Sequence, residues 1–199
     1  MTMLNKHNAT EEGNKAKAVA FFQKKETMKR AFSILFLLTA FILTGCESES
    51  PYSGYRVSFI FDSTIHPYNQ AKSPGQFICI RKGANLGQYR LTDALGNETR
   101  VNIPQIQLQQ SPFYYGLGGL VIGTPMAMDG NLWAFDWACP NCEKASSRLI
   151  IDRTLGHGIC PTCGVKFDLN SGGIAIEGKS RPLWIYRIFG PDNALLIQN

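Results

Sequence analysis

The chain has 199 residues, of which 44% are hydrophobic, 18% charged and 11% aromatic, with 19 Gly, 10 Pro and 6 Cys. That composition excludes collagen-like, disordered and multi-span membrane classes. A net charge of +5 would fit a nucleic-acid partner only if it lay on the folded part. Seven of the 20 Lys and Arg and three of the 15 acids precede Cys46, whereas from Glu47 onward 13 basic residues stand against 12 acidic ones, a net of +1. The basic excess therefore belongs to the N-terminal segment, and no nucleic-acid partner is expected.

Residues 1–27 are polar, and they precede Met28-Lys29-Arg30 and an apolar run over 31–45, AFSILFLLTAFILTG. Fifteen residues are too few for a permanent spanning helix but match the apolar region of a secretory signal; a buried core helix or an uncleaved anchor is the alternative. The run ends in Leu43-Thr44-Gly45-Cys46, which resembles the lipobox of bacterial lipoproteins. That resemblance implies cleavage before Cys46 and a diacylglyceryl group on its thiol, so the chain is expected in the bacterial cell envelope, lipid-anchored to a membrane. A signal over 28–46 starts late, which makes 1–27 an extension from an upstream start codon, with translation expected from Met28. Residues 47–54 are read as a short solvated tether.

Residues 55–199 are long enough for one domain with its own core. No window keeps a helical apolar spacing; β-branched and aromatic runs recur between turn signals. Strands are predicted over 55–61, 76–81, 88–92, 119–123, 132–137, 148–151, 173–176, 183–188 and 194–197. Many short strands mean an all-β sandwich or barrel. Gly96-Asn97 is a predicted turn, Asp129-Gly130-Asn131 a predicted hairpin turn, and 105–118, rich in Gln, Ser and Gly, a predicted long loop. Gly116-Leu117-Gly118-Gly119 leads into a strand instead of opening a helix, so it is not a phosphate loop. Without paired carboxylates or a Ser-His-Asp arrangement, no catalytic residue is assigned.

Setting Cys46 aside for lipid, five cysteines remain. Four read Cys139-Pro140-Asn141-Cys142, then seventeen residues, then Cys160-Pro161-Thr162-Cys163. Paired cysteines at that separation are a spacing of metal sites. Each C-x-x-C places two sulfurs on one side of a tight turn, and four thiolates make a tetrahedron around one ion at about 2.3 Å for zinc. Gly164, after the second pair, can take the left-handed conformation such a turn needs, whereas Glu143 occupies the equivalent place after the first, so that turn is expected to be more strained or differently shaped. Two disulfides are the alternative use of these thiols in an oxidising compartment. Cys79, within the apolar FICIR, is read as a core residue.

The segment 132–188 resembles the metal-binding subdomain of the Rieske fold: LWAFDWACPNC, then GICPTCG, then Phe167-Asp168-Leu169, Gly172-Gly173, Gly178, Pro182-Leu183 and Tyr186. This implies a Rieske-like β-domain over 55–199 with a metal-binding subdomain at about 137–170. The ligand pattern departs from the family, whose cluster takes two Cys and two His. Cys163 stands where the second His would be, and Asn141 stands at the first His position with Cys142 one residue on. The knuckles thus also look like those of rubredoxins and zinc ribbons. His157, three residues before Cys160, is either a neighbour of the site or a solvated turn residue; Trp133, Phe135, Trp137 and Trp184 are either an electron path or core.

Two readings follow. In the favoured one, Cys139, Cys142, Cys160 and Cys163 hold one structural zinc, which an exported chain can acquire outside the cell; Lys29-Arg30 is not a twin-arginine signal, and exported Rieske clusters are assembled before export. In the other, the same cysteines hold a [2Fe–2S] cluster or a single iron, and the protein carries electrons to a redox or envelope protein partner. The leader reading gives the first prediction: Cys46→Ala abolishes acylation and processing, so fractionation finds the variant soluble or unprocessed, and a cleaved variant still tightly membrane-bound is the contrary result.

Overall fold

The computed structural model describes residues 54–110, 113–126 and 130–199. The extension, the signal, Cys46, tether residues 47–53 and Asp129 of the predicted hairpin turn lie outside the described residues. The strands are β1 (Val57–Phe61), β2 (Phe77–Lys82), β3 (Gln88–Thr92), β4 (Glu98–Asn102), β5 (Tyr114–Tyr115), β6 (Leu120–Gly123), β7 (Trp133–Asp136), β8 (Ile150–Asp152), β9 (His157–Ile159), β10 (Lys166–Asp168), β11 (Ile174–Glu177), β12 (Ile185–Phe189) and β13 (Leu195–Gln198), with one short helix, α1 (Gln105–Gln110). Nine strands form one sheet in the order β4-β3-β2-β6-β7-β12-β13-β1-β5, and β11-β10-β9-β8 form a second. The fold is all-β.

Side-chain alternation along the central strands explains the two layers. On β2, Ile78 and Ile80 enter one core while Phe77 and Cys79 enter another; on β6, Leu120 and Ile122 part from Val121; on β7, Ala134 parts from Phe135. These strands are buried on both faces, which is why FICI and LVIG read as continuous apolar runs. The first core lies inside the curl of the large sheet, where Phe59 of β1 meets Tyr89 of β3 edge-on with ring centroids 5.3 Å apart. The second core joins Phe77, Cys79, Val121 and Phe135 to Phe167, Leu169 and Leu183, so the small sheet sits against the outer face of the large one. Cys79 is buried here, and burial pushes its thiol up to about 12.

Several local features differ from the sequence expectation, among them the short strand β5 inside the predicted loop over 105–118. β4 (ETRVN) was not expected, because four of its five residues are exposed and no apolar alternation marks it. It forms because Asp93 builds the turn back from β3, its Oδ1 accepting from the N–H groups of Leu95 and Asn97 at 2.9 and 2.8 Å; Gly96 in that turn has φ +97°. β9 and β10 are three residues each, too short for any period to register. The predicted loop over 105–118 instead begins with α1, started by the Pro104 carbonyl, which accepts from Gln107 and Leu108, and Leu108 packs on the first core.

Asp136 closes β7 fully buried and accepts four hydrogen bonds: Leu117 N–H at 2.7 Å, Gly118 N–H at 3.0 Å, Ala138 N–H at 2.7 Å and Tyr186 hydroxyl at 2.6 Å. Burial pushes its carboxyl up, while these four donors pull it down. The glycine-rich loop is thus a nest of N–H groups filled by a carboxylate of its own chain. Gly116 there has φ +72°, and a Cβ would fall on the Tyr186 hydroxyl and the Asp136 carboxylate. Asp136→Ala, which leaves these donors buried and unpaired, is expected to cost about 3 kcal/mol or more. Asp136→Asn, keeping an oxygen for Gly118 and Ala138, costs less; urea unfolding of both variants measures the difference.

Candidate metal centre

The polypeptide between β7 and β12, two strands that pair with each other, leaves the large sheet to build the small one and returns. Both C-x-x-C turns lie on this excursion. The first follows Ala138, which bridges to Arg148, so Cys139 stands at the mouth of a narrow antiparallel loop with its N–H on the Ser147 carbonyl at 2.9 Å. The second connects β9 to β10, with the Cys160 N–H on the Val165 carbonyl at 2.9 Å. In each turn the N–H four residues after the first Cys returns to that cysteine's carbonyl: Glu143 to Cys139 at 3.0 Å and Gly164 to Cys160 at 2.9 Å. Pro at the second position of each turn fixes φ.

The closing residue of each turn is left-handed. Gly164 has φ +75° and Glu143 φ +50°, and Glu143 is the one non-glycine with positive φ among the described residues. A side chain at Gly164 would meet nothing within 4 Å, so backbone conformation alone selects glycine there. Glu143 has no such freedom, and its carboxylate is clasped by the Arg181 guanidinium, which also lies over the Trp184 ring at 4.6 Å. A further bond joins the two turns, from Thr162 Oγ1 to Ser147 Oγ at 3.1 Å.

These loops bring the four sulfurs of Cys139, Cys142, Cys160 and Cys163 within 4.8 Å of one another. Two of the separations cross between the turns, Cys139 to Cys163 at 3.6 Å and Cys142 to Cys160 at 3.7 Å. A tetrahedron with metal–sulfur bonds of about 2.3 Å has an edge of about 3.8 Å, so the sulfur cage has the size of a single tetrahedral ion. It is not a pair of disulfides, whose sulfurs stand at about 2.05 Å; all five described cysteines are free.

The environment of the sulfurs is graded. Cys139 and Cys160 are buried, Cys142 is half-buried and Cys163 exposed. Burial raises the thiols of Cys139 and Cys142. At Cys163 burial also acts upward, but it is outweighed by the Val165 N–H, the Asn141 side chain and the Cys160 and Cys142 thiols, and the group falls to about 6. Asn141 thus directs its amide at the Cys163 sulfur. His157 begins β9, opposite Asp152 and Asp168, and is not among the four clustered ligands. The aromatic residues serve packing: Phe135 and Trp184 are buried, Trp133 and Trp137 pack on the second core, and Trp137 Nε1 donates to the Leu149 carbonyl at 2.7 Å.

Sequence reasoning missed Asp136, Ser147 and Arg181. Asp136 had a signal, a lone acid inside the aromatic run LWAFDW; Ser147 and Arg181 act through chain folding and had none.

No protein-family model matches the chain, and no curated protein does. Among solved structures, a match is found to the cyanobacterial plasma membrane Rieske protein PetC3 from Synechocystis PCC 6803, 18% identical, with a TM-score of 0.34, covering 57% of this chain and 87% of that one.

If one ion unites the four thiolates, replacing any one with Ala unfolds the metal lobe locally while the large sheet persists, because structural zinc contributes about 10–16 kcal/mol of apparent binding free energy in small peptides. Cys79→Ala leaves metal content unchanged. Protons compete with metal for thiolates whose ionisation burial already opposes, so metal is lost as the pH falls. Metal content and circular dichroism followed down a pH series check both expectations.

Proposed function

We propose that Cys139, Cys142, Cys160 and Cys163 hold one zinc ion as a structural centre, and that the chain is a cell-envelope lipoprotein, anchored through Cys46, whose Rieske-like body carries that centre in place of a cluster. The observation that carries the reading is the size of the sulfur cage, all four atoms within 4.8 Å. Zinc supplies no redox chemistry, and four thiolates close its shell, leaving no position for a substrate. The chain's own residues do the rest. The left-handed Glu143 and Gly164 turn each loop back on its first cysteine, Asn141 and Val165 place donors on Cys163, and the Thr162–Ser147 bond sets one loop against the other.

The Rieske-like part of the reading is supported by the placement of both knuckles on one excursion between paired strands, in the order that LWAFDWACPNC and GICPTCG first suggested. The leader LTGC and the short tether support an envelope location.

A second reading has one observation in its favour. Cys163 is exposed and Cys142 half-buried, so sulfur reaches the surface, as an electron carrier holding a single iron requires for exchange with a redox partner. Metal analysis of protein purified from its own envelope separates the two. The zinc reading expects about one zinc, no visible absorption and five thiols free after denaturation without reductant, the four of the site and Cys79. A coloured protein with one iron moves the assignment to the carrier. Two irons with inorganic sulfide, or two disulfides and no metal, overturn the single-ion site.

A further inference from the structure

The root of the tether emerges beside a surface that the metal centre does not use. Arg56 lies over the Tyr114 ring at 4.3 Å, and its carbonyl accepts from the Gly116 N–H at 3.1 Å. Tyr114 opens a groove of about 370 Å³ that continues past the glycine loop to Lys82 and Arg148. A second groove shares Lys82 and runs along the β2–β3 hairpin to Leu86. No acidic side chain lines either groove among the described residues, although the body as a whole is almost neutral. Leu86, at the tip of KGANLGQ, is 98% exposed, an extreme for a leucine.

We propose that this face, Leu86 at its tip with Lys82, Arg56, Arg148 and Tyr114 around it, rests on a bilayer carrying anionic phospholipid headgroups. The choice of a lipid surface rests on the reading of Cys46 as an acylated anchor. Residues 47–54 extend at most about 28 Å, so the anchor holds the root of β1, and this face beside it, close to the headgroups. A projecting aliphatic side chain enters the interface, tyrosine suits its polar boundary, and Lys82 and Arg56 face lipid phosphates, while Arg148 at the inner end of the groove has its Nε on the Gly118 carbonyl. A diacylglyceryl anchor already holds the chain durably on the membrane, so the role of the basic face is orientation: it fixes which side of the body faces the membrane.

The test uses the full chain, acylated in its own envelope and reconstituted into vesicles of phosphatidylcholine with or without phosphatidylglycerol, with hydrogen exchange read at amides 82–88. Exchange there is expected to slow on the anionic vesicles and to recover in high salt. Each basic residue near an anionic surface is worth roughly a fivefold factor, so Lys82→Glu, a change of two charges, weakens this protection by about 25-fold. Leu86→Asp removes it as well. Both residues are exposed, and unchanged metal content shows that the variants remain folded. Equal exchange at 82–88 on both vesicle types, or protection indifferent to these variants, overturns the proposal while acylation keeps the chain on the vesicle. So does protection that arises only with envelope proteins, which assigns the face to an acidic protein. If mass analysis finds no acyl group on Cys46, the anchor reading fails, and cosedimentation of the unacylated chain must show the same dependence on phosphatidylglycerol, Lys82 and Leu86 for the docking face to stand.

Discussion

The carboxylate of Asp136 accepts four hydrogen bonds at a point closed to water, and the parts of this fold meet there. Two donors belong to the glycine loop before β6, one to the backbone stepping toward Cys139, and one to Tyr186 of β12. An uncompensated charge could not occupy that place, whereas four directed donors make it tolerable and leave little choice about where the loop, the strand and the first knuckle stand. The metal lobe is an excursion between β7 and β12, and Asp136 fastens its departure from β7 to Tyr186 on the strand by which it returns.

Above that junction, cysteine positions are set by backbone hydrogen bonds in two small antiparallel loops. The loops solve the same problem with different residues. Gly164 enters the left-handed region without a steric penalty; Glu143 enters it against one and is held by Arg181, itself laid over Trp184. The Asn141 side chain acts on the Cys163 sulfur and helps that thiolate carry its charge.

What the sequence disclosed follows from how strongly each segment is buried. β1 and β3 alternate because one face is wet, β2 and β6 are continuous because neither is, and these strands were predicted within about two residues, the usual uncertainty of strand ends. β4 carries no apolar signal because it lies at a sheet edge, where charge is a protection against stray pairing. β9 and β10 are held by the strands on either side, information that does not reside in three residues. The knuckles were legible because ligand spacing is local; Ser147 and Arg181 were not, since each reaches the site only after the chain has folded back.

The position of β1 has a mechanical consequence. It lies between β13 and β5, its residues Ser58 to Phe61 paired antiparallel with Gln198 to Leu195 and its Val57 N–H on the Asn199 side chain. Tension arriving through the tether pulls β1 along its own length, so its rungs are loaded together in shear and do not open one after another like a zipper. Under the anchoring proposed at Cys46, drag on the domain would be borne by β1 and its neighbours in the large sheet and not by the metal lobe.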